Sequence, residues 1–189
     1  MESDLDKLSV EQFGRLFPVT LTDYDPNWKN IFEKEKQRLI VTLQTDNIYR
    51  IEHIGSTAIP FIKSKPTIDI LLEVNESTGN KSIIHSIKSM GYHYIPKPEN
   101  PAPHMMFVKG YSKEGFVGQA YHIHVRYPGK WGEISFRNYL NKNPHLAKEY
   151  EKLKIKLAGK YKNNREAYTE GKTEFVNRIN EYAMKSDYE

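Results

Sequence analysis

The sequence predicts an α+β fold: a mixed β-sheet flanked by helices, then a C-terminal helical region. Three observations lead there. Up to residue 131, segments with two-residue alternation or unbroken apolar character are interleaved with helical ones. From Gly132 to Ala183 the pattern is helical and highly charged. The chain has 189 residues, 38% hydrophobic and 28% charged, enough for one domain with its own core. The expected organisation is a lead-in over 1–17, an α/β core over 18–131 and a helical region over 132–189 packed on that core.

Residues 1–17 read as a short amphipathic lead-in. In "PVTLTDYDPNW" a short strand precedes a turn, and Asp25-Pro26 signals the start of a helix. Over 27–44 the apolar residues Trp28, Ile31, Phe32, Leu39 and Leu43 have helical spacing, interrupted by a charged middle. "IYRIEHIG" alternates and reads as a strand ending at Gly55, while "TIDILLEV" is apolar enough for a buried strand. "STGNKSIIHSIKSMG" reads as a helix closed by Gly91. "YHYI", "HMMFVKG" and "GQAYHIHVRY" are further strands, and the proline-rich "PKPENPAP" is a loop suited to a lid or rim. In the last strand Tyr121, Ile123 and Val125 share one face, and His122, His124 and Arg126 the other. The expected C-terminal helices are Glu133–Asn141, Pro144–Lys160 and Arg165–Ala183, with Pro144 suited to a first helical turn.

Composition narrows the function classes. There is no cysteine, which excludes disulfides, thiolate metal sites and cysteine nucleophiles. The start "MESDLDKLSV" lacks the basic and apolar regions of a signal peptide, and no stretch is long and apolar enough to span a membrane, so a cytoplasmic location is the expectation. The net charge of +4 favours small anionic ligands. Charges of both signs alternate in "KEYEKLKIKLAGKYKNNRE", so a nucleic-acid partner is not expected.

The stretch carrying most chemistry is "HIGSTAIPFIKSKPTIDILLEV", residues 53–74. Gly55 lets backbone approach a ligand, and the Ser56 hydroxyl adds a donor. Lys63 and Lys65 could supply countercharge, and Asp69 on the following strand could hold a divalent cation bridging phosphates. The competing reading is an ordinary turn with solvated lysines and an Asp69 that is ion-paired for structure.

This stretch resembles the signature of the GrpB-like family, which has the nucleotidyltransferase superfamily fold. "YHIHVRYPGKWGEISFRNYLNKNPHLAKEYEKLKIKLAGKY" and "REAYTEGKTEFVNRINEYA" are similar to the family's later blocks, so the resemblance runs from about Pro18 to Ala183. It implies a nucleotidyltransferase-like core, a nucleotide as substrate or ligand, and magnesium. In that superfamily a Gly-Ser turn precedes a strand bearing an acidic pair two residues apart. Here twelve residues, Thr57 to Ile68, separate the turn from Asp69, but the second position of the pair is Leu71. Glu73 lies roughly 13 Å further along the strand, too far to share an ion.

The resemblance places "YHIHV" on the strand where a third acid usually stands. Asp69, His122 and His124 are therefore the candidate catalytic and metal-holding residues, with imidazole as ligand or as general acid and base. Gly55, Ser56, Lys65 and Arg137 are the candidate nucleotide contacts, Arg137 because guanidinium pairs bidentately with phosphate. Its alternative is a buried ion pair with a carboxylate such as Asp69 or Glu133. Lys172, four residues after Tyr168, could also reach the cleft. Two functions stay open: transfer of a nucleotidyl or phosphoryl group to a small molecule, and a non-catalytic module binding a nucleotide or phosphate ligand.

Overall fold

A computed structural model describes residues 9–186; the first eight residues of the expected lead-in and the last three of the helical region lie outside it. Helix α1 (Val10–Leu16) starts from Ser9, whose hydroxyl accepts from the Gln12 amide while the Gln12 side chain accepts from the Ser9 amide. Helix α2 (Trp28–Leu43) follows the Asp25-Pro26 turn. Strands β1 (Ile48–Ile54) and β2 (Thr67–Val74) come next, then α3 (Asn80–Ser89), β3 (His93–Pro96), β4 (Met105–Ser112) and β5 (Gly115–Arg126). Four helices close the chain: α4 (Gly132–Lys142), α5 (Pro144–Lys160), α6 (Arg165–Glu170) and α7 (Thr173–Ser186).

The five strands lie in the order β1-β2-β5-β4-β3. β2 and β5 pair in parallel; the other three neighbours are antiparallel. Period-2 alternation gives the sheet two different faces. One carries Ile68, Ile70, Leu72, Val74, Ile123 and Val125 against Trp28, Phe32, Leu39 and Leu43 of α2 and Ile83 and Ile87 of α3. The other carries Asp69, Leu71 and Glu73 of β2 beside His122, His124 and Arg126 of β5.

The charged interruption in α2 has a specific cause. Glu35 occupies the apolar stripe and is buried, yet Tyr92 donates to it at 2.8 Å, Arg38 pairs with it at 2.7 Å and Lys109 stands at 3.7 Å. A buried carboxylate is tolerated when its lone pairs are used in this way.

Two expected elements differ. The short strand after Pro18 is reduced to a single bridge, Thr22 to Ser64, because Val19 bonds instead to the Lys162 carbonyl. The last helix is broken between Glu170 and Thr173. Gly171 packs on α5 so closely that a Cβ there would lie 2.6 Å from Leu157.

A second apolar cluster joins the closing helices to the loop between β1 and β2. Ile59 and Ile62 of the loop pack with Phe136 and Leu140 of α4, Ala147 and Tyr150 of α5, and Phe175 and Ile179 of α7. Two polar anchors reinforce it. Lys154 of α5 is buried and donates to the Lys63 carbonyl and, at 3.1 Å, to Ser64 Oγ. Glu73 is fully buried and accepts from Arg50 (2.6 and 2.9 Å), Trp131 Nε1 (2.6 Å) and the Gly129 amide (3.1 Å). Among the described residues no helix is long and apolar enough to cross a membrane.

Truncating Glu73 would leave the Trp131 and Gly129 donors unpaired and release Arg50, whose side chain is partly exposed. Glu73→Ala is expected to lower unfolding free energy by about 1–3 kcal/mol, the range for stranding buried donors. Urea denaturation followed by circular dichroism measures this; a loss below about 1 kcal/mol would show that water replaces the carboxylate.

Candidate functional site

The β2–β5 face opens into a cleft of about 760 Å³ between the sheet and helices α5–α7. Gly55, Ser56, Lys65, Asp69, His122 and His124 all line it, so six of the seven residues singled out from sequence share one cavity. The proline-rich loop contributes Lys97 to its rim, and the far wall holds Tyr150, Arg165, Tyr168 and Lys172.

Asp69 lies on the floor. Parallel pairing sets it opposite His122, and Leu71 opposite His124. His122 Nδ1 lies 3.1 Å from Asp69 Oδ1, and His124 Nε2 lies 4.0 Å from the same oxygen. Burial disfavours ionisation of Asp69, but the His122 hydrogen bond and the nearby His122, His124 and Lys65 outweigh it and hold its carboxyl at about 2. Burial pushes His124 down to about 4, only partly offset by Asp69, so its imidazole is neutral near pH 7.

His122 is held from both sides. Its Nε2 lies 2.7 Å from the Tyr111 hydroxyl, which in turn accepts from Arg165 Nη2 at 3.2 Å. An ionised carboxylate only accepts, so in the neutral ring Nδ1 carries the proton toward Asp69 and Nε2 accepts from Tyr111. Tyr111, Arg165 and Tyr150 are participants that sequence reasoning missed. They stand on β4, α6 and α5, and no local spacing links them to the Gly-Ser turn.

The turn fits its place for a steric reason. Gly55 has φ +71°, and a Cβ there would lie 2.4 Å from Asp69 Oδ2. Ser56 begins a single 3-10 turn, and it lines the cleft together with Tyr150.

Three cations gather over this floor. Lys65 and Lys172 stand above the Tyr168 ring at 5.3 and 4.6 Å from its centroid, and Arg165 is adjacent. Burial, with repulsion from Arg165 and Lys172, pushes Lys65 down to about 7. Burial lowers Lys172 also, with Arg165 adding to the effect and Asp69 opposing it. Among the described residues none of the three has a carboxylate within ion-pair distance. Lys172 follows Tyr168 by four residues across the break at Gly171 and still stands over its ring.

Other expectations resolve elsewhere. Arg137 is not among the lining residues: its guanidinium donates to Glu52 at 2.7 Å and to the His53 carbonyl at 2.6 Å, the carboxylate pairing that was its alternative. Lys63 pairs with Asp23. Glu73 is consumed by the anchor described above, and Glu133 stands 3.8 Å from Arg126. His53 faces α2, stacked on Phe32 at 4.8 Å.

A magnesium pair requires several oxygen ligands. The cleft floor offers one carboxylate and two imidazoles, and Leu71 is fully buried where a second acid would stand. The residues present do not fit that pair.

Comparison with known proteins places the chain among relatives. The family model described as GrpB protein matches residues 18–182. The chain is 38% identical over 165 residues to the glutamate-rich protein GrpB of Alkalihalophilus pseudofirmus, covering 85% of this chain and 93% of that one. It is 34% identical to the UPF0157 protein YqkA of Bacillus subtilis over 88% of its length, but spans only 48% of that protein. The crystal structure of the conserved protein GrpB from Enterococcus faecalis superposes with a TM-score of 0.77 at 30% identity, over 90% of this chain and all of that one. The mixed sheet flanked by helices is thus the nucleotidyltransferase-like arrangement.

Gly55→Ala places a methyl group on the Asp69 carboxylate at a positive φ. It is expected to cost about 1–3 kcal/mol. Gly159→Ala, where a Cβ meets nothing within 4 Å near the end of α5, should be neutral or stabilising. Thermal melts of both variants check this; equal effects would refute the steric role of Gly55.

Proposed function

The chain belongs to the GrpB family, and on that premise we propose that it binds a phosphate-bearing small molecule, a nucleotide first among the candidates, in the cleft between the sheet and helices α5–α7. The observation that carries this reading is the cluster of Lys65, Arg165 and Lys172, which repel one another and, among the described residues, have no carboxylate within ion-pair distance. A fold that holds three cations together above a partly covered floor leaves a place for an anion, which would relieve the repulsion. Arg165 would supply a planar fork for phosphate oxygens and the lysines point charges. Ser56 would add a hydroxyl donor, and Tyr168 a ring wall.

Nucleotidyl or phosphoryl transfer is the reaction this reading puts first. In it the cations would neutralise charge that builds up on the transferring group. In the metal-free cleft His124, neutral and open to it, is the group free to take a proton from an attacking hydroxyl; His122 is already held between Asp69 and Tyr111. A specific observation favours a second reading, a module that binds the ligand without turning it over: the buried Leu71 in place of the second acid.

A thermal-shift screen of nucleotides against the protein treated with chelator tests binding. Stabilisation by at least one nucleotide is expected, with affinity weakened about 10-fold or more in Lys172→Ala, the order for losing a charge-assisted contact. No shift with any nucleotide or with inorganic pyrophosphate would overturn the reading. Product formation lost in His124→Gln, with binding retained, would separate the enzyme from the module.

The depressed Lys65 gives a second expectation. Its ordinary value is near 10.5 and here it stands at about 7, so at about pH 8 it is mostly neutral. A bound anion restores its charge. Binding should therefore take up a proton, about one at most, and weaken as pH rises above 7. Calorimetry in two buffers of different ionisation enthalpy measures the uptake, and Lys65→Met should abolish it.

A further inference from the structure

The donor set on the cleft floor suits a different ion from the one the fold's acidic pair would take. We propose that Asp69, His122 and His124 form a three-ligand site for a single first-row transition-metal ion of the zinc type, with its remaining position open to the cleft. This deepens the reading of the same cleft as a phosphate-ligand site and rests on it.

One ligand atom from each residue lies within 4.8 Å of the other two. Around an ion with bonds of about 2.1 Å, ligand atoms stand about 3.4 Å apart, so modest side-chain rotation closes the set. Asp69 Oδ1 and His122 Nδ1 are already at 3.1 Å. The two imidazole planes meet at 84°, so the rings can address one point from different directions. The ligands come from adjacent, paired strands, which fixes their backbone separation.

Chemistry favours nitrogen-binding metals here. Imidazole suits zinc and its neighbours, whereas magnesium takes oxygen and keeps its water. A third feature is the support behind the ligands. When His122 Nδ1 binds a metal, its proton must sit on Nε2, where Tyr111 can accept it, and Arg165 fixes Tyr111. A second ring nitrogen held by an oriented partner is the usual arrangement behind a metal-bound histidine. An ion at this point would face Lys65, Arg165 and Lys172 across the cleft, so an anionic ligand could meet metal and cations together.

The test is a metal titration of the full chain, stripped with chelator, with no nucleotide present. Zn2+, Co2+ and Mg2+ are titrated separately by calorimetry, and Co2+ also by its visible absorption. One equivalent of Zn2+ is expected, bound roughly 100-fold or more tightly than Mg2+. Asp69→Asn and His124→Gln should each weaken Zn2+ by about 10–100-fold, and Tyr111→Phe by about 10-fold. His85→Ala, exposed on α3, should leave affinity unchanged. Circular dichroism checks that each variant is folded, and a variant that fails is replaced by Co2+ absorption of the unaltered chain, where a tetrahedral or five-coordinate spectrum is expected. No tight Zn2+ binding, Mg2+ bound as tightly as Zn2+, Zn2+ affinity equal in folded Asp69→Asn and the unaltered protein, or a Co2+ spectrum of the fully hydrated ion would overturn the proposal. Nucleotide binding is read separately in the chelated protein, so failure of that reading and failure of this one are distinguishable.

Discussion

Parallel pairing of β2 with β5 is the constraint on which the rest of the structure depends. It is the one parallel ladder among the described strands, and it sets Asp69 against His122 and Leu71 against His124. A parallel pair cannot be joined by a tight turn; α3, β3 and β4 supply the crossover. The same register sends Ile68, Ile70, Ile123 and Val125 to the opposite face, where α2 and α3 bury them. Shifting β2 by one residue would turn Asp69 and Glu73 into the apolar core, and shifting β5 would turn in His122, His124 and Arg126. The hydrophobic effect that builds the core thereby also fixes the geometry of the cleft floor.

Much of this was legible in the sequence because it is local. Alternation in "YHIHVRY" assigns the histidines to one face, and the continuous apolar run of "TIDILLEV" marks a strand covered on both sides. The turn at Gly55 was legible for a related reason: glycine, then serine, directly after a strand is a short-range pattern. What stayed hidden is long-range. Arg165 reaches Tyr111 from α6, far along the chain, and Tyr111 reaches His122 only through the register of the β4–β5 hairpin, which nothing near either residue announces. Arg137 misled in the opposite sense. A guanidinium suits phosphate and carboxylate equally, and only the packing of α4 against β1 shows that Glu52 is the partner within reach. The break at Gly171 escaped because the apolar period on both sides of it is compatible with one helix.

Along β2 three side chains on one face have three different surroundings. Asp69 meets the cleft, Leu71 is sealed under the helical layer, and Glu73 is wholly enclosed by donors. This gradient explains why the position two residues after Asp69 is apolar in this chain. A carboxylate at 71 would be buried beside Glu52 on the neighbouring strand, whose partner Arg137 is already taken. Whatever chemistry the cleft supports must therefore draw its polar groups, beyond Asp69, from the β1–β2 loop, β5 and the helices.

The Glu73 carboxylate has a mechanical consequence. It bonds to β1 through Arg50 and to the segment entering α4 through Gly129 and Trp131, while Lys154 ties α5 to the β1–β2 loop. Sheet, loop and helical roof are thus tied together at two separated points. A cleft whose walls are braced in this way is a socket rather than a jaw.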